Sequence, residues 1–154
     1  MSDFMKAAAQ EARSNLKTGE GGPFGAVIVK DGKIIARAHN QVLLHQDPTA
    51  HAEIQAIRAA AKALGTHDLS GCELYTSCYP CPMCLSAIIW ANIRTVHYGN
   101  TAEDAGAIGF RDDMIYHFIT GGCRDASVMK MSQEDRAETI AVFEEYAAKK
   151  KEIY

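Results

Sequence analysis

Two short segments constrain this chain more than anything else in it. They are His51-Ala52-Glu53 and, thirty positions later, Pro80-Cys81-Pro82-Met83-Cys84. One imidazole and two thiolates make a three-ligand set suited to a single Zn2+ ion, and the fourth tetrahedral position is left for water. Water held by zinc loses a proton near neutral pH. Glu53 is then a carboxylate beside the site that can carry protons without binding the metal. Any fold this chain adopts must bring both segments to one point.

Spacing says how. In mid-helix, residues two apart point to different faces, so His51 and Glu53 would diverge there. At a first helical turn the ion can sit off the helix end, within reach of both. Asp47-Pro48-Thr49 reads as a turn into such a start, and Ala52, Ile54, Ala56, Ile57, Ala59 and Ala60 continue as helix formers to Leu64-Gly65. Cys81 and Cys84 are three apart, with Pro82 at a favoured first-turn position. The positive end of that second helix favours both thiolates. Taken alone, Cys-x-x-Cys also suits a redox pair or half of a structural zinc knuckle. Cys78 extends the spacing toward an iron–sulfur run, but Cys72 and Cys123 lie out of register for a fourth ligand. Cys78 reads as a strand-end thiol beneath the site.

The rest of the chain alternates helix and strand with no linker, repeat or low-complexity stretch. Phe4, Met5, Ala8, Ala9, Ala12 and Leu16 form a helical stripe, ended by Thr18-Gly19-Glu20-Gly21-Gly22-Pro23. Phe24 to Lys30 and Lys33 to His39 form a hairpin about Asp31-Gly32. Glu73 to Ser77 is a strand leading into the cysteines, and Ile93 to Tyr98 is the next. Asp112 to Ile119 is expected as a short helix, Ser127 to Met131 as a fifth strand and Gln133 to Lys151 as a terminal helix. Two strand–helix–strand units imply a three-layer α/β/α sandwich on a largely parallel, mixed sheet of about five strands, with both metal helices starting at one sheet end.

Bulk properties narrow the function. A chain of 154 residues is one domain able to bury a core, and 47% hydrophobic with 23% charged residues is a globular composition. Five cysteines, two assigned to metal, suit a reducing compartment. No apolar run reaches membrane-spanning length, and Met1-Ser2-Asp3-Phe4 lacks a signal-peptide start, so cytoplasm is expected. A net charge of -3, with Lys149-Lys150-Lys151 as the only basic run, argues against a nucleic-acid partner and for a small uncharged substrate. His39, His45, His67, His97 and His117 have no partner pattern and read as structural or surface groups.

H-x-E followed by P-C-x-x-C is the signature of zinc nucleobase deaminases. Across nearly its whole length the chain resembles the cytidine-deaminase-like superfamily, and within it the small bacterial guanine deaminases. The matching segments are Gly22-Pro23-Phe24-Gly25-Ala26-Val27-Ile28-Val29, Asp47 to Glu53 and Tyr75 to Cys84, with weaker matches over Gly109-Phe110 to Tyr116 and in the lysine-rich tail. The resemblance implies zinc on His51, Cys81 and Cys84, with Glu53 as the proton shuttle. It implies that Asn40 hydrogen-bonds the base, that Phe24, Ala52 and Trp90 shape the pocket, and that an aspartate of Asp112-Asp113 meets the far purine edge. It also implies a homodimer in which a swapped C-terminal segment, about residues 133–154, brings Tyr154 to the partner's site. One departure touches the substrate: where the family commonly has glutamate, this chain has the neutral phenol of Tyr79. The expected reaction is hydrolytic deamination of guanine to xanthine. Alternatives are cytosine, isocytosine or a triazine, tRNA adenosine, or a non-catalytic zinc protein.

Overall fold

In a computed structural model describing residues 2–154, every residue from Ala26 to Val29 is buried, so the sheet is covered on both faces. Helix α1 (Asp3–Thr18) is capped by the Ser2 hydroxyl and ends at Gly19 in the left-handed conformation. Strands β1 (Gly25–Lys30) and β2 (Lys33–His39) make the expected hairpin. A one-turn helix α2 (Val42–His45) follows. Next come α3 (Ala52–Leu64), β3 (Cys72–Cys78), α4 (Pro82–Trp90) and β4 (Thr95–Asn100). The remainder holds α5 (Ala102–Ala107), α6 (Asp113–Thr120) and α7 (Arg136–Ala148).

The described sheet runs β2-β1-β3-β4. β1 is antiparallel to both β2 and β3, and only β3 and β4 are parallel. The sheet is therefore mixed, as expected, but not largely parallel. Alternation along β1 builds two cores. Ala26 and Ile28 pack with Ala52, Ala56, Ala60 and Ile88 of α3 and α4, while Val27 and Val29 pack with Ala7 and Phe4 of α1. This is the α/β/α arrangement, with four strands rather than five. Ser127 to Met131 is not a strand. The Asp125 carboxylate accepts from Ser127 N and Oγ, and the Asp125 carbonyl from Val128 N and Met129 N, so the backbone closes a turn instead of a ladder. Helix α5, unforeseen in the sequence, is set by a reciprocal Thr101–Asp104 capping box.

The chain divides into two compact units, Met1–Asp113 and Met114–Tyr154. The first contains the whole sheet and both metal-motif helices. Among the described residues no helix is long and apolar enough to cross a membrane.

Candidate active site

His51 is the N-cap of α3 and Cys81 the N-cap of α4, both in extended backbone with no side-chain cap. The residues that would normally satisfy helix N-termini are thus replaced by potential metal ligands, and Cys84 lies on the first turn of α4. The Nδ1 atom of His51 is 3.5 Å from each of the two sulfurs, and all three donor atoms lie within 4.8 Å of one another. Tetrahedral zinc with ordinary Zn–S and Zn–N bonds puts such nitrogen and sulfur atoms about 3.6 Å apart. The donor set therefore fits zinc in both chemistry and spacing, with Nδ1 as the ligating nitrogen.

The two thiols are hydrogen-bonded to each other and shift in opposite directions. Cys81 is pushed down to about 4, chiefly by its hydrogen bond from Cys84 and then, against burial, by His51. Cys84, the other half of the pair, is driven far upward by Cys81 and by burial. Both would bind a divalent ion as thiolates.

Glu53 is buried beside the ligands, and burial raises its carboxyl above the ordinary glutamate range. The hydroxyl of Thr76, fully buried on β3, lies 3.2 Å from Glu53 Oε1 and 3.0 Å from the carbonyl of Cys78. Its single proton serves one acceptor at a time. Sequence reading passed over Thr76, yet a signal was present. Leu74, Thr76 and Cys78 share the buried face of an alternating strand, and a hydroxyl there requires a partner. Cys78 itself is buried, donates to the carbonyl of Thr101 at 3.5 Å and is pushed up to about 11 by burial, and it stands outside the His51, Cys81 and Cys84 cluster.

The other candidates fall in different places. Asn40 is buried at the end of β2, and its Oδ1 accepts from Val42 N at 3.0 Å, which leaves the amide NH2 as the group it can offer. Phe24 stands edge-on to Phe110 with centroids 5.0 Å apart. Asp112 and Asp113 separate cleanly. Burial, then the Cys81 thiolate, raises the Asp112 carboxyl, which puts it in the field of the metal ligands. Asp113 instead accepts from Arg111 at 3.1 and 3.2 Å near the surface. Ala52 is buried in the core at the start of α3. Tyr79, 39% exposed, meets Tyr98 edge-on at 5.0 Å. Trp90 lies at the end of α4 away from the sulfurs and is 74% exposed, and Tyr154 is exposed in the second unit.

The family defined by the cytidine and deoxycytidylate deaminase zinc-binding region matches residues 1–100. The chain belongs to that deaminase family. Guanine deaminase of Bacillus subtilis is 54% identical over 116 residues, covering 75% of this chain and 74% of the relative. Its X-ray structure superposes with a TM-score of 0.89 at 42% identity, over 100% of this chain and 99% of that one. A tRNA-specific adenosine deaminase of Aquifex aeolicus is 44% identical over 105 residues, 68% of this chain and 69% of the relative. The deaminase is thus a zinc-dependent aminohydrolase with a cytidine-deaminase-like fold, and both helix starts that its chemistry requires lie within the matched region.

Proposed function

We propose that this deaminase hydrolyses free guanine to xanthine and ammonia. The observation that carries the reading is extent. Similarity to the Bacillus subtilis guanine deaminase structure runs through the whole chain, whereas the structure of a tRNA:A34 deaminase matches 66% of it. The net charge of -3 also favours a free base over a polyanionic substrate.

His51, Cys81 and Cys84 would hold zinc, which when bound polarises water and lowers its pKa toward neutrality. The chain's own residues perform the remaining work. The NH2 of Asn40 donates to an acceptor on the base, Asp112 accepts from an N–H on the far edge, and Phe24 bounds the ring. With the base so oriented, water oxygen adds to C2, the carbon bearing the exocyclic amine. Glu53 takes the proton this releases and passes it to the adjacent ring nitrogen. In a second transfer Glu53 carries the remaining proton of the added hydroxyl to the departing amine, the C2–N bond breaks, the C2 carbonyl forms and ammonia leaves. Burial of Glu53 suits it to holding the proton between transfers.

The single-domain reading extends to a homodimer, with the C-terminal segment packed on a second copy and Tyr154 closing the partner's site. Apolar side chains exposed in both units, among them Trp90 and Phe143, support it. Thiol ligands on the metal favour a reducing, cytoplasmic location.

The test is a panel of free guanine, cytosine, isocytosine and an amino-triazine, with adenosine-containing tRNA alongside, followed by ammonia release from the zinc-loaded full chain. Guanine should be the fastest. Silence toward guanine with turnover of another member would replace the substrate, and silence toward all would leave a non-catalytic zinc protein.

A further inference from the structure

We propose that Asn15 is a positioning residue for the base-binding wall, holding Phe24 and Asn40 in a fixed relation from the last turn of α1. The proposal rests on the reading of Asn40 and Phe24 as base contacts.

Asn15 is buried at 6% exposure on a helix whose other buried residues are alanines. A buried carboxamide is costly unless each polar atom is bonded, and here each is. Its Nδ2 donates to the carbonyls of Gly22 and Asn40, both at 2.8 Å, and its Oδ1 accepts from Thr18 Oγ1 at 3.1 Å. The Gly22 carbonyl also accepts from Phe24 N at 2.8 Å, and the Phe24 carbonyl from Asn40 N at 3.0 Å. The circuit closes: Asn15, Gly22, Phe24 and Asn40 form one ring of hydrogen bonds. Two of its four members are the proposed base contacts.

The ring has no slack. A Cβ on Gly21 would sit 2.1 Å from Asn40 Oδ1, so the backbone of this turn runs directly against the Asn40 carboxamide. The Oδ1 atom is taken by Val42 N, so the NH2 can aim in one direction only. Releasing the Asn40 carbonyl frees the residue that carries this donor. Helix α1 gains nothing from the two carbonyls Asn15 satisfies, because both belong to other segments. The NH2 of the side chain serves the wall, and only its Oδ1, bonded by Thr18, serves its own helix.

A double-mutant cycle on the zinc-loaded full chain tests this, with guanine as substrate and zinc content and Tm measured for every variant. Asn15→Ala should raise KM about tenfold with kcat changed by less than about threefold. Asn40→Ala should raise KM at least as much, and Asn15→Ala/Asn40→Ala should be no worse than Asn40→Ala within about a factor of two. Asn15→Ser, which retains one donor, should fall between, and it carries the cycle if the alanine variant does not fold. An unchanged KM in Asn15→Ala beside a raised one in Asn40→Ala would overturn the proposal, as would multiplicative effects in the double variant. An unchanged KM in Asn40→Ala would instead overturn the assignment of Asn40, and the positioning role would fall with it.

Discussion

Glu53 and Thr76 divide the labour at the centre of the site. In the proposed reaction the carboxyl would reach both the attacking water and the departing nitrogen, which a fixed rotamer favours. Burial removes the solvent that would compete for it, and when the Thr76 hydroxyl turns from the Cys78 carbonyl to Glu53 Oε1 it tethers the carboxyl. Glu53→Gln should therefore keep one zinc per chain by elemental analysis yet lose about 10³-fold in kcat, within the span of general acid–base effects. Near-normal turnover in that variant would remove Glu53 from the mechanism. Thr76→Val keeps volume and loses the tether. A hydrogen bond to a charged group contributes about 1.5–3 kcal/mol, so kcat should fall about tenfold or more at constant KM, with Thr76→Ser recovering most of it. Equal losses in the valine and serine variants would mean that Thr76 matters only for packing. The ligands could be read from sequence because few residue types bind zinc and each helix start carries its own short motif, H-x-E or P-C-x-x-C. For Thr76 only the need of a partner was legible, in the alternation of β3; the partner itself, Glu53, lies on α3 and only helix–sheet packing brings the two together.

At the scale of elements, sequence pattern placed both motif helices and all four strands to within a few residues, most of them with one or two faces committed to the core and β4 with Val96 alone packed against it. Besides α5, two features escaped it. Ser127 to Met131 has strand-like composition, but Asp125 turns its backbone, a side-chain competition that hydropathy does not register. The second is the joint between α1, the turn after it and β2. His39 was read as structural or surface, and it is indeed structural: Nδ1 is 3.0 Å from Glu11 Oε2 and Nε2 2.6 Å from Glu20 Oε2. Arg37 reaches Glu11 at 3.4 Å and Gln41 reaches Glu20 at 3.0 Å. Burial works to lower the His39 pKa, but hydrogen bonds to Glu11 and Glu20 outweigh it and leave the imidazole above its ordinary value. Glu20 is lowered, first by Gln41 and then by His39. The signs follow from linkage. The His39 contribution is complete below the unfolded value of about 6.5 and disappears as pH rises through the elevated folded value. The Glu20 contribution is present above about 4.5 and fades as pH falls below it. Between those limits the joint is tightest. Thermal melts of His39→Gln should lie about 2 °C below wild type at pH 6 and converge on it at pH 9. A gap that is equal at both pH values would show that the imidazole acts by shape alone.

The whole molecule poses a problem that neither unit solves by itself. Helix α7 runs for thirteen residues and buries none of them, with Val142 and Phe143 largely exposed. An isolated helix of that length is marginal in water, where tertiary packing of an apolar face normally supplies most of the stability. The Met1–Asp113 unit likewise exposes Ile89, Trp90 and Tyr98. Scattered apolar residues need no explanation, but an unpacked helix and a second set of bare aromatic and aliphatic side chains in one chain call for a cover. A second copy is the economical one, because a two-fold assembly uses each surface twice. Sedimentation equilibrium at micromolar concentration should then return about twice the chain mass of 16.8 kDa. Phe143→Glu, which puts a charge where an apolar contact is needed, should shift the population toward monomer. It should also reduce helicity and speed amide exchange across residues 136–148, because α7 would lose the surface that holds it. The Glu53 site lies wholly in the other unit, so the same variant should retain zinc. A wild-type chain that sediments as a monomer with full activity, and in which α7 exchanges slowly, would refute the assembly while leaving the zinc site and its proton shuttle intact.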